Sequence, residues 1–129
     1  MITWIDKAVV LAIHDEQLAE HGGPVGIVDE NILESALAKP QNRLVYENKH
    51  LDIIDLAATY ALALAQRQCF ADGNKRVPAV VTELFLNLHG FDLVAADAEI
   101  VRVWRAIASK SISDEEFLSW LREQTKQVL

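Results

Sequence analysis

The sequence predicts an all-α protein that folds as one domain over residues 1–129, and two features of the chain support this. Two long segments, Asp52 to about Arg67 and Lys75 to Leu88, carry apolar residues on every side of a helix and should be buried all round. Almost nothing alternates with the period of a strand, apart from short pieces near Val25–Ile27 and Asp92–Val94. We therefore expect a helical bundle with these two helices at its centre.

The helices before the central pair are marked by capping residues and by a proline. Thr3 is placed to cap a first helix that runs through about His21. Its expected apolar face consists of Ile5, Val9, Ile13 and Leu18. Asp29 is placed to cap a second helix that should end before Pro40, because proline interrupts the backbone hydrogen bonds of a helix. We expect a separate short helix over about Asn42 to Glu47.

Two further helices are expected after the central pair. Asp97 is placed to cap the first, which should run through about Ser109. Ser113 with Glu116 forms a capping-box pattern at the start of the last helix. The expected buried face of that helix is Phe117, Trp120 and Leu121, and we expect Trp4 and Trp104 to pack in the core as well.

Composition excludes several classes of function. The formal net charge is −7, whereas a surface that binds nucleic acid needs a basic footprint. The single cysteine, Cys69, excludes an internal disulfide and fits a reducing compartment. Neither a signal peptide nor an apolar run long enough to span a bilayer is visible. We therefore expect a soluble cytoplasmic protein with no membrane or direct nucleic-acid partner.

The loop between the central helices carries the chemistry, since Phe70 to Arg76 reads FADGNKR. A carboxylate such as Asp72 is a hard oxygen ligand suited to Mg²⁺. Glycine at 73 allows a close turn, and Asn74 can cap the next helix so that its first amides face an anion. Lys75 and Arg76 carry the cations that suit phosphate oxygens. A plain glycine turn with two solvated cations explains the same residues.

A resemblance to a known family favours the interpretation of this loop as a metal and phosphate site. The segment FADGNKR opens an apolar helix that ends in Leu86 to Phe91 (LNLHGF), and it is similar to the signature of the Fic/Doc superfamily. Lysine at position 75 makes the segment resemble the Doc (death-on-curing) toxins within that superfamily. The front half also resembles Doc proteins, in Ile13 to Glu16, His21 to Gly26 and Asp29 to Leu37. The resemblance implies a single Fic/Doc-like helical domain.

The resemblance also implies an activity. Doc toxins are phosphotransferases that use ATP and Mg²⁺ to phosphorylate a threonine of elongation factor Tu, which blocks translation, and a Phd-like antitoxin inhibits them. By position in the motif, Asp72 and Asn74 are catalytic residues, and Asp72 is the metal ligand. Gly73, Asn74, Lys75 and Arg76 hold the phosphates. Gln68 stands where the family has its histidine, and an amide cannot accept a proton near neutral pH.

Three more positions depart from the family, namely Cys69, Val77 and Pro78. Proline at 78 disfavours helical angles at Val77, so the helix could begin at Pro78 and reshape the phosphate site. Two functions remain open: a toxin whose transferase activity is impaired by Gln68, or an inactive binding module that pairs with an antitoxin. Gln68 could also be an introduced change, although the three accompanying departures favour natural drift.

Three other features have ordinary explanations. His14 and Asp15 resemble the start of a metallohydrolase motif, but no further ligands follow at suitable spacing, and a surface or cap histidine is expected. Cys69 has no basic partner nearby in the sequence and is expected to be a buried thiol. Glu83 should mark a solvated window on the second central helix.

Overall fold

A computed structural model describes residues 1–22, 29–47, 50–67, 69–70 and 76–128 of the chain. In order, its elements are α1 (Lys7–His21), α2 (Glu30–Tyr46), α3 (Ile53–Gln66), α4 (Arg76–Leu88), β1 (Phe91–Leu93), α5 (Asp97–Ala108), α6 (Asp114–Glu123) and β2 (Thr125–Gln127). The helical prediction is confirmed. Within these ranges, no helix is both long enough and apolar enough to cross a membrane.

The helix α3 lies at the centre of the bundle, in contact with α2, α4, α5 and α6. Its buried residues run almost without interruption from Leu56 to Leu64, as its apolar composition predicts. Asp52 caps it through a capping box with Asp55. The helix α4 is buried on one side only, with Glu83 exposed and Leu88 49% exposed. The expectation that α4 is buried all round was therefore wrong.

The first helix begins later than expected. Its cap is Asp6, whose side chain accepts a hydrogen bond from the Val9 amide, and not Thr3. Residues 1–6 instead cross the bundle, because the Thr3 amide donates to His89 and the Ile5 amide donates to the hydroxyl of Tyr60. The predicted apolar face is shifted by one position. Val10 and His14 are its buried residues, while Val9 is 37% exposed.

The second helix continues through its proline. Asp29 caps α2 as predicted, but the helix extends from Glu30 to Tyr46 with Pro40 inside it. The predictions that it ends before Pro40 and that a separate helix covers Asn42 to Glu47 were both wrong. An interior proline costs a helix about 3 kcal/mol. Pro40 is buried together with Leu33, Ala36 and Leu37, so packing of this face offsets that cost.

The last third of the chain folds against α3 and α4. Ala96 precedes α5 and gives no side-chain cap, so the prediction that Asp97 is the cap was wrong. The capping box at the start of α6 is confirmed, and Phe117 and Leu121 are fully buried. The predicted extended piece at 92–94 is observed as β1, which pairs antiparallel with β2 in a register that places Asp92 opposite Lys126. The other extended piece, Val25–Ile27, lies outside the described residues.

Candidate functional site at the start of helix α4

Most of the predicted site residues lie outside the described part of the chain. These are Gln68, Asp72, Gly73, Asn74 and Lys75. Their proposed roles therefore stay predictions from the sequence. The exception is Arg76, which is exposed and is the first residue of α4 as the structure describes it. The geometry of the site is thus given by what precedes and follows the central part of the motif.

The segment before the motif is fixed to two other helices. The backbone carbonyl of Cys69 accepts a hydrogen bond of 3.2 Å from the amide of Asp29, the cap of α2. The guanidinium of Arg67 donates to the hydroxyl of Ser35 on α2 at 2.7 Å. From the other side, the ring of Phe70 stacks on His14 of α1, with centroids 5.4 Å apart. The start of the motif is therefore held between α1 and α2.

The thiol at position 69 is part of this support. Cys69 is 1% exposed and belongs to the hydrophobic core. Burial raises the pKa of its thiol, and the negative charge of Asp29 adds to the effect. A buried thiol with a raised pKa is a poor nucleophile. The expectation that Cys69 is a small apolar core residue is confirmed.

The segment after the motif is the first turn of α4. The helix already includes Arg76 and Val77, so it does not start at Pro78. Counted from Arg76, the first described residue of α4, Pro78 is the third, and the backbone N–H of a third helical residue has no partner within the helix. Val77 is helical despite preceding a proline, and it is completely buried. Packing of Val77 in the core thus outweighs the local preference for extended angles.

A groove of about 1010 Å³ lies beside this first turn, between the end of α1, α4 and α5. Its walls include two cations, Arg76 and Arg105, and the apolar surface of Trp104. Its carboxylates are Glu83 and Asp97. Partial desolvation of its carboxyl group raises the pKa of Glu83, and the negative charges of Asp97 and Asp92 raise it further. Glu83 is exposed, as the predicted solvated window requires, and it forms part of one wall of the groove.

The described residues fit a phosphate group at one end of this groove. Arg76 presents an exposed guanidinium at the amino end of a helix of 13 residues, and a guanidinium can bind phosphate oxygens through two parallel hydrogen bonds. Within the described ranges, no group of three or more His, Cys, Asp or Glu side chains could hold a metal ion. A metal at this site would depend on Asp72, which is outside those ranges.

Sequence reasoning missed three residues beside the site. His14 was expected at the surface, but it is 4% exposed and packs against the motif through Phe70. The hydrophobic pattern of α1 did not indicate this burial, because His14 lies one position away from the predicted apolar face. Trp104 and Arg105 were missed as groove residues because nothing in the sequence shows that α5 packs beside α4.

Comparison with known proteins agrees with these features. The family model described as the Fic/DOC family matches residues 4–86. The chain is 29% identical over 114 residues to the protein kinase doc of Escherichia phage P1, covering 85% of this chain and 90% of that protein. It is 32% identical over 81 residues to the toxin Doc of Mycolicibacterium smegmatis, covering 63% of this chain and 62% of that protein. The chain belongs to the Fic/Doc family, and the relatives it matches are Doc proteins.

Proposed function

We propose that this protein is a Doc-like toxin, an ATP-dependent phosphotransferase that acts on a threonine of elongation factor Tu and is impaired by Gln68. The observation that carries the proposal is the exposed Arg76 at the amino end of the half-buried helix α4, directly after the FADGNK segment. The similarity to the phage P1 protein kinase doc over most of both chains supports the same reaction.

In the proposed reaction the threonine oxygen attacks the γ-phosphorus of ATP, the bond to the bridging oxygen breaks, and ADP leaves with the electron pair of that bond. The proton of the threonine hydroxyl passes to solvent water, because Gln68 cannot accept it. Bound Mg²⁺ would supply charge neutralisation at the phosphates, with Asp72 as its ligand. Asn74 and Lys75 would hold phosphate oxygens together with Arg76 and with the backbone at position 73, where glycine permits a close approach. Each of these roles is a matter of binding and orientation, which carries most of the catalysis in phosphoryl transfer.

Gln68 would occupy the position of the proton acceptor without being able to serve as one. The loss of a general base typically costs about 10²–10⁴-fold in rate. We therefore propose a slow enzyme, which would act in the cytoplasm where ATP and the translation factor are found. The second candidate is a binding module without catalysis, and Gln68 itself is the residue that favours it.

We also propose a Phd-like antitoxin as the partner, with a helical segment that docks in the groove beside α4. Apolar atoms of Trp104 and Val101 together with Arg76 and Arg105 suit a helix that has an apolar face and acidic residues at its edge. The chain's own net charge of −7 would repel a strongly acidic partner at long range, so the apolar contacts should dominate the binding.

The test is a transfer assay with labelled ATP, Mg²⁺ and purified elongation factor Tu. Gln68→His should raise the rate of transfer by at least tenfold over the unchanged protein. In that background Lys75→Ala should abolish the gain, whereas the matched variant Lys126→Ala, on the exposed strand β2, should keep it. A Gln68→His protein that binds a co-expressed antitoxin yet transfers no phosphate would refute the transferase and leave the binding module.

A further inference from the structure

The charged residues of the groove beside α4 alternate in sign along its two long walls. On α4, Arg76 is the first described residue and Glu83 follows two turns later. On α5 the order is reversed, since Asp97 is the first residue and Arg105 follows two turns later. All four residues are exposed. At about 1.5 Å of rise per residue, the two opposite charges on each helix lie roughly 10–12 Å apart along its axis.

The reversed order brings like charges together, because α5 returns along α4. The two helices pack against each other, and only residues 89–96 connect them. The negative charge of Asp97 raises the pKa of Glu83, so the start of α5 lies close to the later part of α4. Glu83 and Asp97 therefore form an acidic end of the groove. Arg76 and Arg105 are each two turns away from it and form a basic end.

The walls between the two ends are apolar. Val80 of α4 and Ile100 and Val101 of α5 lie between the charged residues in the sequence and line the groove. Val101 is 42% exposed. An apolar strip of about two turns suits the apolar face of a docked helix, whose side chains recur at three, four and seven residues. Two cations and two carboxylates make these walls neutral as a whole, so what they favour is an order of charges and not a net charge.

We propose that the groove selects the antitoxin helix by the order of its charges. The helix places an acidic side chain at the basic end of the groove and, seven or eight residues away on the same face, a basic side chain at the acidic end. The proposal rests on the proposed function, which supplies the antitoxin as the occupant. A helix with both charges is also less strongly repelled than a purely acidic one by a chain with a net charge of −7.

Two charge reversals test the proposal by the sign of their effects. The probe is the product of the short gene next to this one, which the proposed function takes to be the antitoxin, and fluorescence anisotropy measures its Kd for the full chain. Arg105→Glu should weaken binding about tenfold, because it sets a carboxylate against the acidic residue of the helix. Glu83→Lys should weaken binding by a similar factor, because it sets an ammonium group against the basic residue.

The matched controls reverse the same charges at exposed positions that do not line the groove. They are Arg102→Glu, on the same helix as Arg105 with a side chain that is 70% exposed, and Glu123→Lys at the end of α6. Both should leave the Kd within twofold of that of the unchanged protein. Urea denaturation checks the fold of each variant. If a charge reversal proves unstable, the neutral variants Arg105→Gln and Glu83→Gln must each weaken binding by about threefold or more.

Weaker binding by both groove variants, with unchanged controls, supports the proposal, and any other combination overturns it. If Arg105→Glu weakens binding and Glu83→Lys strengthens it, the partner surface is uniformly acidic. If neither variant changes the Kd, the antitoxin binds elsewhere. Both results leave the proposed partner in place. Failure of the two proteins to form a complex refutes the proposed partner and this proposal together, while the transfer assay with elongation factor Tu tests the enzyme separately.

Discussion

Replacement of Pro78 by alanine tests whether the start of α4 is intact. Counted from Arg76, the first described residue of α4, Pro78 is third in the helix, a position at which the missing N–H leaves no intrahelical hydrogen bond unmade. The sequence alone allowed a different reading, in which this proline disturbs the helix and reshapes the phosphate site. The two readings predict opposite signs for the change in stability.

The magnitude follows from burial and from chain entropy. Pro78 is buried, so Pro78→Ala removes about two methylene groups from the core, which costs about 1.6 kcal/mol at ~0.8 kcal/mol for each. Loss of the rigid ring lets the unfolded chain explore more conformations and costs a further ~0.4–1 kcal/mol. The variant should therefore be less stable by about 2–2.5 kcal/mol. If Pro78 instead disrupted the helix, its removal would restore about 3 kcal/mol of stability. The variant would then be slightly more stable than the unchanged protein.

Pro40 supplies the matched control, since it is also buried but lies in the interior of α2. Pro40→Ala loses the same methylene groups and the same rigidity, yet it gains the ~3 kcal/mol of an interior helix position. In urea denaturation followed by circular dichroism, Pro40→Ala should exceed Pro78→Ala in stability by about that amount. Equal effects of the two replacements, or a Pro78→Ala protein more stable than the parent, would refute the placement of Pro78 in an undisturbed first turn.

Two further predictions concern charge and reactivity. The guanidinium of Arg122 forms ion pairs with Asp52 at 2.8 Å and with Asp55 at 3.1 Å. Burial alone would raise the pKa of Asp52, but the hydrogen bonds from Arg122 and Asp55 together lower it. A carboxyl group whose pKa is lower in the folded than in the unfolded chain stabilises the fold at pH values above its unfolded pKa. Arg122→Met should therefore lower the free energy of unfolding by about 0.5–1 kcal/mol at pH 7. This difference should disappear as the pH falls through the folded-state pKa of Asp52. Urea denaturation across pH checks this, and an equal cost from Arg102→Met, whose side chain is 70% exposed, would contradict it. The buried Cys69 thiol, with its raised pKa, should react slowly with a disulfide reagent in buffer and at once in urea, and rapid labelling of the folded protein would contradict its burial.

The sequence predicted correctly those features of the helices that depend on residues close together in the chain. The capping box at Ser113 and the cap at Asp29 lie where predicted, because each depends on a side chain and an amide only two or three residues away. The apolar composition of α3 likewise indicated its central place. These features need no knowledge of the rest of the fold.

The errors arose where distant contacts decide. Thr3 is a suitable cap by type, but its amide is bound by His89, so the helix starts at Lys7 instead. Pro40 should end a helix, yet burial of its face keeps α2 continuous. His14 looked like a surface residue because its neighbour across the fold, Phe70, is far away in the sequence. In each case tertiary packing overrides a local preference, and a single sequence does not contain that packing.

The departures from the family motif can now be separated by their physical consequences. Pro78 and Val77 lie within a regular first turn of α4, and Cys69 fits the core as a small buried residue, so none of the three disturbs the described backbone beside the site. Gln68 differs from them in chemistry, because under the proposed function an amide at this position cannot accept the proton that a histidine would take. Under the proposed function, restoring histidine at position 68 alone should therefore be sufficient to raise the rate of transfer.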